Sequence, residues 1–506
     1  MLPQSGGEAI RARKERRSEA AIGALARARS LWQVEAALGL LILVGLILLM
    51  RDWGIDDPYI TFRYARNLLE GQGFVYNVGQ RTLSTTAPLY ALLLALLGHL
   101  WKDLPALSNV LSAISLVSSA ALLLLLSDSR GRRVPGMIAA LLLSLSPYLA
   151  WTFGAETCFS IMLILGGFYA YERSHYGLTG GLLALATMAR PDAVLAAAAV
   201  ALVHLARRRP IPWRAALLYA ALLAAWFLGL WLYFGSPLPV TLMVKQQQGQ
   251  MSISTRFWGG LLDLIRGYGR DPVYWLHAAL ALLGLAEVVR HARHWLPLLL
   301  WTALYIAAYS LLGVSKYFWY YAPLLPAFVV LVAEGTAALL RALKRRGLPR
   351  LATVGLSGLL VIVLLAPLVA GLLSGSWNPD PRLGVYREIG QWLEANTPPG
   401  ASVGMLEVGI IGYYARRPVV DFAGLIQPDV ARRFTASTTY QESATWTIRT
   451  YEPDYVLLHR GPFSELANSD WFLAAYTPRH EFANQQQLWM TLYERRRMDL
   501  GQSEAP

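Results

Sequence analysis

Leu31-Trp32-Gln33-Val34-Glu35-Ala36-Ala37-Leu38-Gly39-Leu40-Leu41-Ile42-Leu43-Val44-Gly45-Leu46-Ile47-Leu48-Leu49-Met50, followed at once by Arg51-Asp52-Trp53-Gly54-Ile55-Asp56-Asp57-Pro58-Tyr59, is the stretch from which the rest of the chain can be read. Residues 31–50 are apolar and, at about 1.5 Å per residue, about long enough to cross a ~30 Å hydrocarbon layer. The adjacent carboxylates Asp56 and Asp57 therefore sit at a membrane surface. Two neighbouring carboxylates repel one another, and at a bilayer edge each resists losing water. Both effects raise the pKa of one of them, which suits a general base.

The apolar pattern recurs along all 506 residues, of which 55% are hydrophobic and only 15% charged, with a mean hydropathy of +0.39. A soluble domain carries nearer about 25% charged residues, so the chain reads as a polytopic membrane protein. Its net charge of +13 does not imply a nucleic-acid partner, because the basic residues fall in short clusters between spans rather than along one face. Cys158 is the single cysteine, so neither an intrachain disulfide nor a cysteine metal cluster can form. His99, His204, His277, His291 and His294 lack metal-ligand spacing and are assigned no role. Residues 1–30 are expected to be a basic cytoplasmic leader. The apolar segment behind it is too long for a signal-peptide core and lacks a small-residue cleavage pattern, so it reads as an uncleaved anchor.

Basic clusters mark the cytoplasmic side. They occur in the leader, at Arg130/Arg132/Arg133, at Arg207-Arg208-Arg209 with Arg214, at Arg290/Arg293, and at Arg341/Lys344/Arg345/Arg346. Spans fitted between them are 31–50, 104–126, 134–153, 157–171, 178–189, 193–206, 213–234, 273–289, 295–313, 320–340 and 351–373, about eleven crossings. An odd number places the N-terminus inside, every cluster inside, and everything after Ser374 outside. Residues 178–206 are broken by Arg190-Pro191-Asp192 and read as tilted half-crossings. Residues 88–101, if they crossed, would invert every later loop, so they are laid in the outer interface. In 58–70, Arg63, Arg66, Asn67 and Glu70 share one polar arc, as in a helix lying along a membrane surface, with Asp57 able to cap it and Pro58 suited to its first turn.

The expected fold is thus mainly α. It comprises a transmembrane bundle over residues 31–374 with in-plane helices in the first outer loop, then an extracytoplasmic α/β domain over 375–506. In that domain 385–395 reads as a helix and 402–406, 419–422, 455–458 and 487–493 as strands. Charged residues converge on the outer face: Asp56, Asp57, Arg63, Arg66, Arg81, Glu156, Arg190, Asp192, Lys245 and Lys316, beside Tyr317, Trp319, Tyr320 and Tyr321. Glu156 stands in an otherwise apolar stretch and needs a partner, a metal or a cavity. Plainer readings exist: a helix cap for Asp57, a dipole-stabilised cap for Glu156, a solvated loop for Lys245 and an interfacial belt for the aromatics.

The run Asp56-Asp57-Pro58-Tyr59-Ile60-Thr61-Phe62-Arg63-Tyr64-Ala65-Arg66-Asn67-Leu68, continuing through Gly71-Gln72-Gly73-Phe74-Val75-Tyr76-Asn77 to Thr85-Thr86-Ala87-Pro88-Leu89-Tyr90, resembles the first outer loop of GT-C membrane glycosyltransferases, including protein mannosyltransferase-like and arabinofuranosyltransferase-like enzymes. Ala189-Arg190-Pro191-Asp192, Gly235-Ser236-Pro237-Leu238-Pro239 and Tyr320-Tyr321-Ala322-Pro323 are similar to further segments of that family, and Asp421-Phe422-Ala423-Gly424-Leu425 to its outer domain. The resemblance implies inverting transfer of a sugar from a polyprenyl-phosphate donor to a hydroxyl of a glycan, lipid or protein acceptor at the outer membrane face. It implies Asp56 as base, assisted by Asp57, with Glu156 on a second acidic loop. Asp57 and Glu156 are the candidate ligands of a divalent cation, Mg2+ or Mn2+, although carboxylates alone neither require nor exclude one. Arg190, Lys245 and Lys316 are candidates for the donor phosphate, in that order, because arginine's fork suits phosphate best. Tyr59, Arg63, Tyr320 and Tyr321 are expected around the substrate. Thr86-Ala87 departs from the aminoarabinose transferase-like members, which usually carry a lysine before Pro-Leu-Tyr. The alternatives are a lipid-linked sugar flippase and a non-catalytic glycan-binding membrane protein.

Overall fold

The computed structural model describes residues 32–377, 380, 382–483 and 489–496. The leader 1–30, Leu31 and the start of the expected strand at Gln487 lie outside the described residues. Among the described residues, seven helices are long and apolar enough to cross a bilayer: Trp32–Leu49, Leu104–Asp128, Trp213–Phe234, Pro272–His291, Arg293–Leu312, Phe318–Arg345 and Leu351–Gly375. Five shorter apolar helices accompany them: Pro88–Gly98, Arg133–Ser144, Thr157–Glu172, Tyr176–Ala189 and Pro191–Ala206. Pro88–Gly98 is the helix expected in the outer interface, and the others fall on the eleven stretches that hydropathy predicts. The chain is a multi-pass membrane protein with a small sheet-bearing unit at its C-terminal end.

Two prolines shape the bundle where it meets the site. The stretch expected as one span over 134–153 divides into Arg133–Ser144 and a single turn, Pro147–Ala150, because Ser146, ahead of Pro147, is forced to extended backbone (ψ 113°). At Arg190-Pro191 the same effect holds Arg190 at φ −145°, ψ 119°, and ends Tyr176–Ala189. Ser108, Ser112, Ser115 and Ser119 form one buried stripe along Leu104–Asp128. Ser108 donates to the Gly154 carbonyl (2.7 Å) and Ser112 accepts from the Gly154 amide (3.3 Å). These bonds fix a turn that needs glycine, since Gly154 has φ +89°, and that turn leads directly to Glu156.

Helices Pro272–His291 and Leu325–Arg345 meet backbone to backbone at Gly284 and Gly335. A Cβ at either would overlap a carbonyl of the other helix, Leu331 or Leu280. Four of the basic clusters join into one belt at a single end of the bundle. Arg130 and Arg207 both pair with Glu172 (2.5 and 2.6 Å), Arg207 also reaches the Arg293 carbonyl (3.2 Å), and Arg132 and Arg341 share Glu287 (2.7 Å each).

The C-terminal unit is a five-stranded sheet in the order β2-β1-β3-β5-β4, with β1 (Val403–Met405), β2 (Val419–Asp421), β3 (Tyr455–His459), β4 (Tyr476–Ala483) and β5 (Trp489–Arg495). Strands β1, β2 and β3 run parallel, while β5 and β4 are antiparallel additions. The unit sits on the first loop's helix Pro58–Leu69, and here the structure corrects an expectation. The polar arc does not face water. Arg63, Arg66 and Asn67 are buried; Arg66 donates to the Tyr413 carbonyl, and Glu70 pairs with Arg416 (3.1 Å). Pro58 does occupy the first turn of that helix, but the Asp57 side chain does not cap it.

Candidate functional site

A cavity of about 330 Å³ opens between the first loop, the Arg190-Pro191-Asp192 break, the segment around Leu238 to Lys245, and helix Leu296–Leu312. The volume falls in the range of small-molecule pockets. Its polar wall is a charge array. Asp57 Oδ2 lies 3.4 Å from Lys245 Nζ. Lys245 is 5% exposed and stands 3.6 Å above the Tyr317 ring. Burial pulls the Lys245 ammonium down, but Asp57 and the neighbouring phenols outweigh it and leave the pKa raised. Opposite, Arg190 reaches Glu156 Oε1 (3.3 Å) and grips Asp192 with two nitrogens (3.2 and 2.6 Å), while the Tyr309 hydroxyl donates to the same Asp192 (2.6 Å). Burial raises the Glu156 carboxyl, with Arg190 opposing.

Three carboxylates, Asp57, Glu156 and Asp192, thus meet two cations. The array carries one negative charge when all are ionised. The other wall is apolar: Val194, Leu238, Leu242 and Leu312 line the cavity and are also exposed on the outside of the bundle, at 45%, 47%, 41% and 42%. The cavity is therefore open sideways, toward the region that lipid surrounds. The C-terminal unit reaches the same space through Leu425, at the tip of a loop that the buried Asp421 carboxylate ties together by accepting from Ala423 and Ile426.

Of the residues expected at the site, Asp57, Glu156, Arg190, Lys245 and Tyr320 line this cavity. The others lie elsewhere. Asp56 turns away, and its carboxylate accepts the backbone amides of Gly409 (3.1 Å) and Ile410 (2.8 Å) in the C-terminal unit. Burial, with Asp57 and Glu407 adding to it, raises the Asp56 pKa to about 7 despite those two donors. Arg63 joins the two units, donating to the Tyr76, Gly412 and Arg417 carbonyls at 2.9, 2.8 and 2.6 Å. Tyr59 packs edge-on against Phe62 and Tyr413. Tyr321 stacks on Phe257 and donates to its carbonyl (2.9 Å), and Lys316, 45% exposed, pairs with Asp263 (3.1 Å). Asp192, counted among the converging outer-face charges, and Leu425, within the segment similar to the outer domain, were given no site role, and Tyr309 was not singled out. The signals available were an acid two residues after Arg190 and a phenol inside an apolar span.

No group of three His, Cys, Asp or Glu side chains close enough to hold a metal occurs among the described residues. Asp57 and Glu156, the expected ligands, are each engaged by a cationic side chain.

Residues 380–496 match a family described as a domain of unknown function, DUF8728. No curated protein is significantly similar in sequence. Among solved structures, the chain resembles ArnT from Cupriavidus metallidurans bound to undecaprenyl phosphate, with a TM-score of 0.61 and 12% identity over 91% of this chain and 98% of that one. It also resembles the oligosaccharyltransferase AglB from Archaeoglobus fulgidus in complex with an inhibitory peptide and a dolichol-phosphate, with a TM-score of 0.54 and 14% identity over 92% of this chain and 75% of that one. A third structure, the Archaeoglobus fulgidus oligosaccharyltransferase in complex with Zn and sulfate, matches with a TM-score of 0.52 and 13% identity over 89% of this chain and 72% of that one. At these identities the likeness establishes the fold.

Proposed function

Because the chain has the fold of the GT-C superfamily of membrane glycosyltransferases, we propose that it transfers a sugar from a polyprenyl-phosphate carrier to an acceptor hydroxyl at the outer face of the membrane. The observation that carries the reading is the cavity itself: a wall of acids and bases facing an apolar wall open to the side. A donor with a charged phosphate and an isoprenoid tail matches both walls at once. Undecaprenyl phosphate and dolichol-phosphate, named with ArnT and AglB, are carriers of this kind.

The base in this proposal is Asp57 rather than Asp56, since Asp57 faces the cavity while the Asp56 oxygens are held by Gly409 and Ile410. The acceptor oxygen attacks the anomeric carbon from the face opposite the carrier, so the configuration inverts. Its proton passes to Asp57, the bond from the anomeric carbon to the phosphate oxygen breaks, and the carrier phosphate leaves with the bonding electrons. Lys245 links the two events. In the free protein it pairs with Asp57; when the donor phosphate engages it, Asp57 loses its counter-charge and becomes the stronger base. Arg190, held rigidly by Asp192 and Glu156, faces the same phosphate. Thr86, where a lysine is usual in the aminoarabinose transferase-like pattern, also lines the cavity, and Lys245 supplies a cation from the other side. The C-terminal unit bounds the acceptor side through Leu425.

The test is turnover of a panel of labelled polyprenyl-phosphate sugars by purified protein in lipid vesicles. Asp57→Asn should lower transfer by about 10²-fold or more, with Asp56→Asn, which loses one of the two amide contacts, lowering it by about tenfold or less. The reverse order would return the base to Asp56. Intact donor moving between leaflets, with no transfer by the wild type, would establish the flippase instead.

A further inference from the structure

The basic end of the bundle carries a second cleft, between the last turns of Pro272–His291 and Leu325–Arg345. Its floor is Ala338 and Ala342, one helical turn apart, where small side chains leave the space open. Arg132, Arg341, Arg345 and Arg346 line it, facing Glu287 and His291. The charges in this group do not cancel. Glu287 Oε1 accepts from both Arg132 and Arg341 (2.7 Å each), and its Oε2 lies 3.3 Å from His291 Nδ1. Glu334, 1% exposed, accepts from Arg132 and from the Trp295 indole. Two carboxylates thus balance Arg132 and Arg341. The side chains of Arg345 and Arg346 make no hydrogen bond or ion pair among the described residues, which leaves two positive charges at the cleft with His291 neutral.

Helix C-termini favour cations, and cytoplasmic loops collect them, so unpaired arginines here have an ordinary explanation. That explanation does not account for an open, alanine-floored cleft in which four arginines converge. The surroundings indicate what fills it. On helix Pro272–His291, Leu282, Leu285 and Val289 are 71%, 42% and 53% exposed, so the cleft borders a lipid-facing surface. A ligand with a charged head and an apolar tail meets both regions, whereas free phosphate meets only the first. We propose that this cleft binds the phosphate headgroup of an anionic phospholipid in the inner leaflet. Arg345 and Arg346 supply the unbalanced charge, and Arg341 closes one side of the phosphate.

The test uses the full-length protein in neutral detergent with added phosphatidylglycerol, phosphatidylcholine or inorganic phosphate, read by thermal unfolding and by native mass spectrometry. Phosphatidylglycerol should raise Tm and remain bound, with phosphatidylcholine and inorganic phosphate doing neither. In the double variant Arg345→Gln/Arg346→Gln, apparent affinity should fall about thirtyfold, from the usual contribution of two arginines near an anionic surface. These side chains make no internal bond, so the variant should fold. Arg173→Gln/Arg214→Gln, which removes equal charge from the same end outside the cleft, should keep the shift. The proposal is overturned if phosphatidylglycerol has no effect, if both double variants lose the effect equally, or if Arg345→Gln/Arg346→Gln retains it. Equal stabilisation by inorganic phosphate would overturn the lipid assignment.

Discussion

Replacing Arg63, which lies outside the cavity, by methionine should undock the C-terminal unit. Arg63 is 3% exposed and donates to three carbonyls on both sides of the interface, Tyr76 in the first loop and Gly412 and Arg417 in the C-terminal unit. Its guanidinium also lies 4.1 Å from the Tyr76 ring centroid. Methionine preserves the buried aliphatic volume and deletes the donors. Tyr76 still accepts from Asn67 (2.9 Å), but the Gly412 and Arg417 carbonyls lose a charged donor, at about 1–3 kcal/mol each. Loss of the desolvated cation–π contact adds about 1–2 kcal/mol. Docking should therefore weaken by roughly 4 kcal/mol. Pulse proteolysis across a urea series should show the C-terminal unit becoming cleavable well before the bundle unfolds, with Arg63→Lys intermediate because one ammonium cannot span three acceptors. Leu425 comes from the undocked unit, so sugar transfer should fall about tenfold or more although Arg63 lies outside the cavity. Protease resistance within about 1 kcal/mol of wild type would refute this account of the interface.

Docking should also depend on pH. The Asp56 pKa is raised from 3.8 to about 7 in the folded protein, so the docked state binds the proton more tightly than the undocked one. Asp56 thus contributes most below pH 4, and its contribution is lost as pH rises through 7. Between pH 5 and 8 the loss should be about 1–2 kcal/mol, below the ~2.6 kcal/mol of a fully buried group because Asp56 is only partly buried. The same proteolysis assay should show the dependence flattened in Asp56→Asn; an equally steep profile in that variant would count against Asp56 as its source. In the bundle, Gly335→Leu should drive apart the helices that touch at Gly284 and Gly335 and abolish a monodisperse fold in detergent, while Gly267→Leu, with open space at its Cβ position, should be tolerated.

What could be read in the sequence follows from the range of the forces involved. Crossing a bilayer requires apolar length, a local property, so the spans were legible, and only Pro147 shortened one in a way hydropathy did not register. Strands β1, β2 and β3 are short apolar runs and were legible for the same reason. Strand β4 was not. Its Thr477-Pro478-Arg479-His480-Glu481 segment faces solvent on an edge, with an irregular register between Pro478 and His480, so neither alternation nor apolarity marks it. Orientation was the least legible property. Nothing local distinguishes Asp56 from Asp57, because each one's direction is set by a partner far along the chain: Gly409, 353 residues away, for Asp56, and Lys245, 188 residues away, for Asp57. Lys316 was grouped with the site by sequence proximity to Tyr320, yet its partner Asp263 draws it elsewhere.

That division of the acidic pair has a mechanical consequence. Asp56 and Asp57 share a peptide bond at the entry to helix Pro58–Leu69, whose first turn Pro58 fixes in φ. When Gly409 and Ile410 hold the Asp56 carboxylate, the Asp57 side chain is left pointing across the cavity toward Lys245. Undocking releases that constraint, so the C-terminal unit does more than bound the acceptor side: its docking orients the carboxylate that we assign as base. Arg63→Met should then lower kcat as well as weaken acceptor binding, whereas shortening Leu425 to alanine, which leaves the Asp56 bonds in place, should act on acceptor KM. If both variants changed only KM, docking and base orientation would be independent, and the adjacency of the two acids would have no mechanistic role.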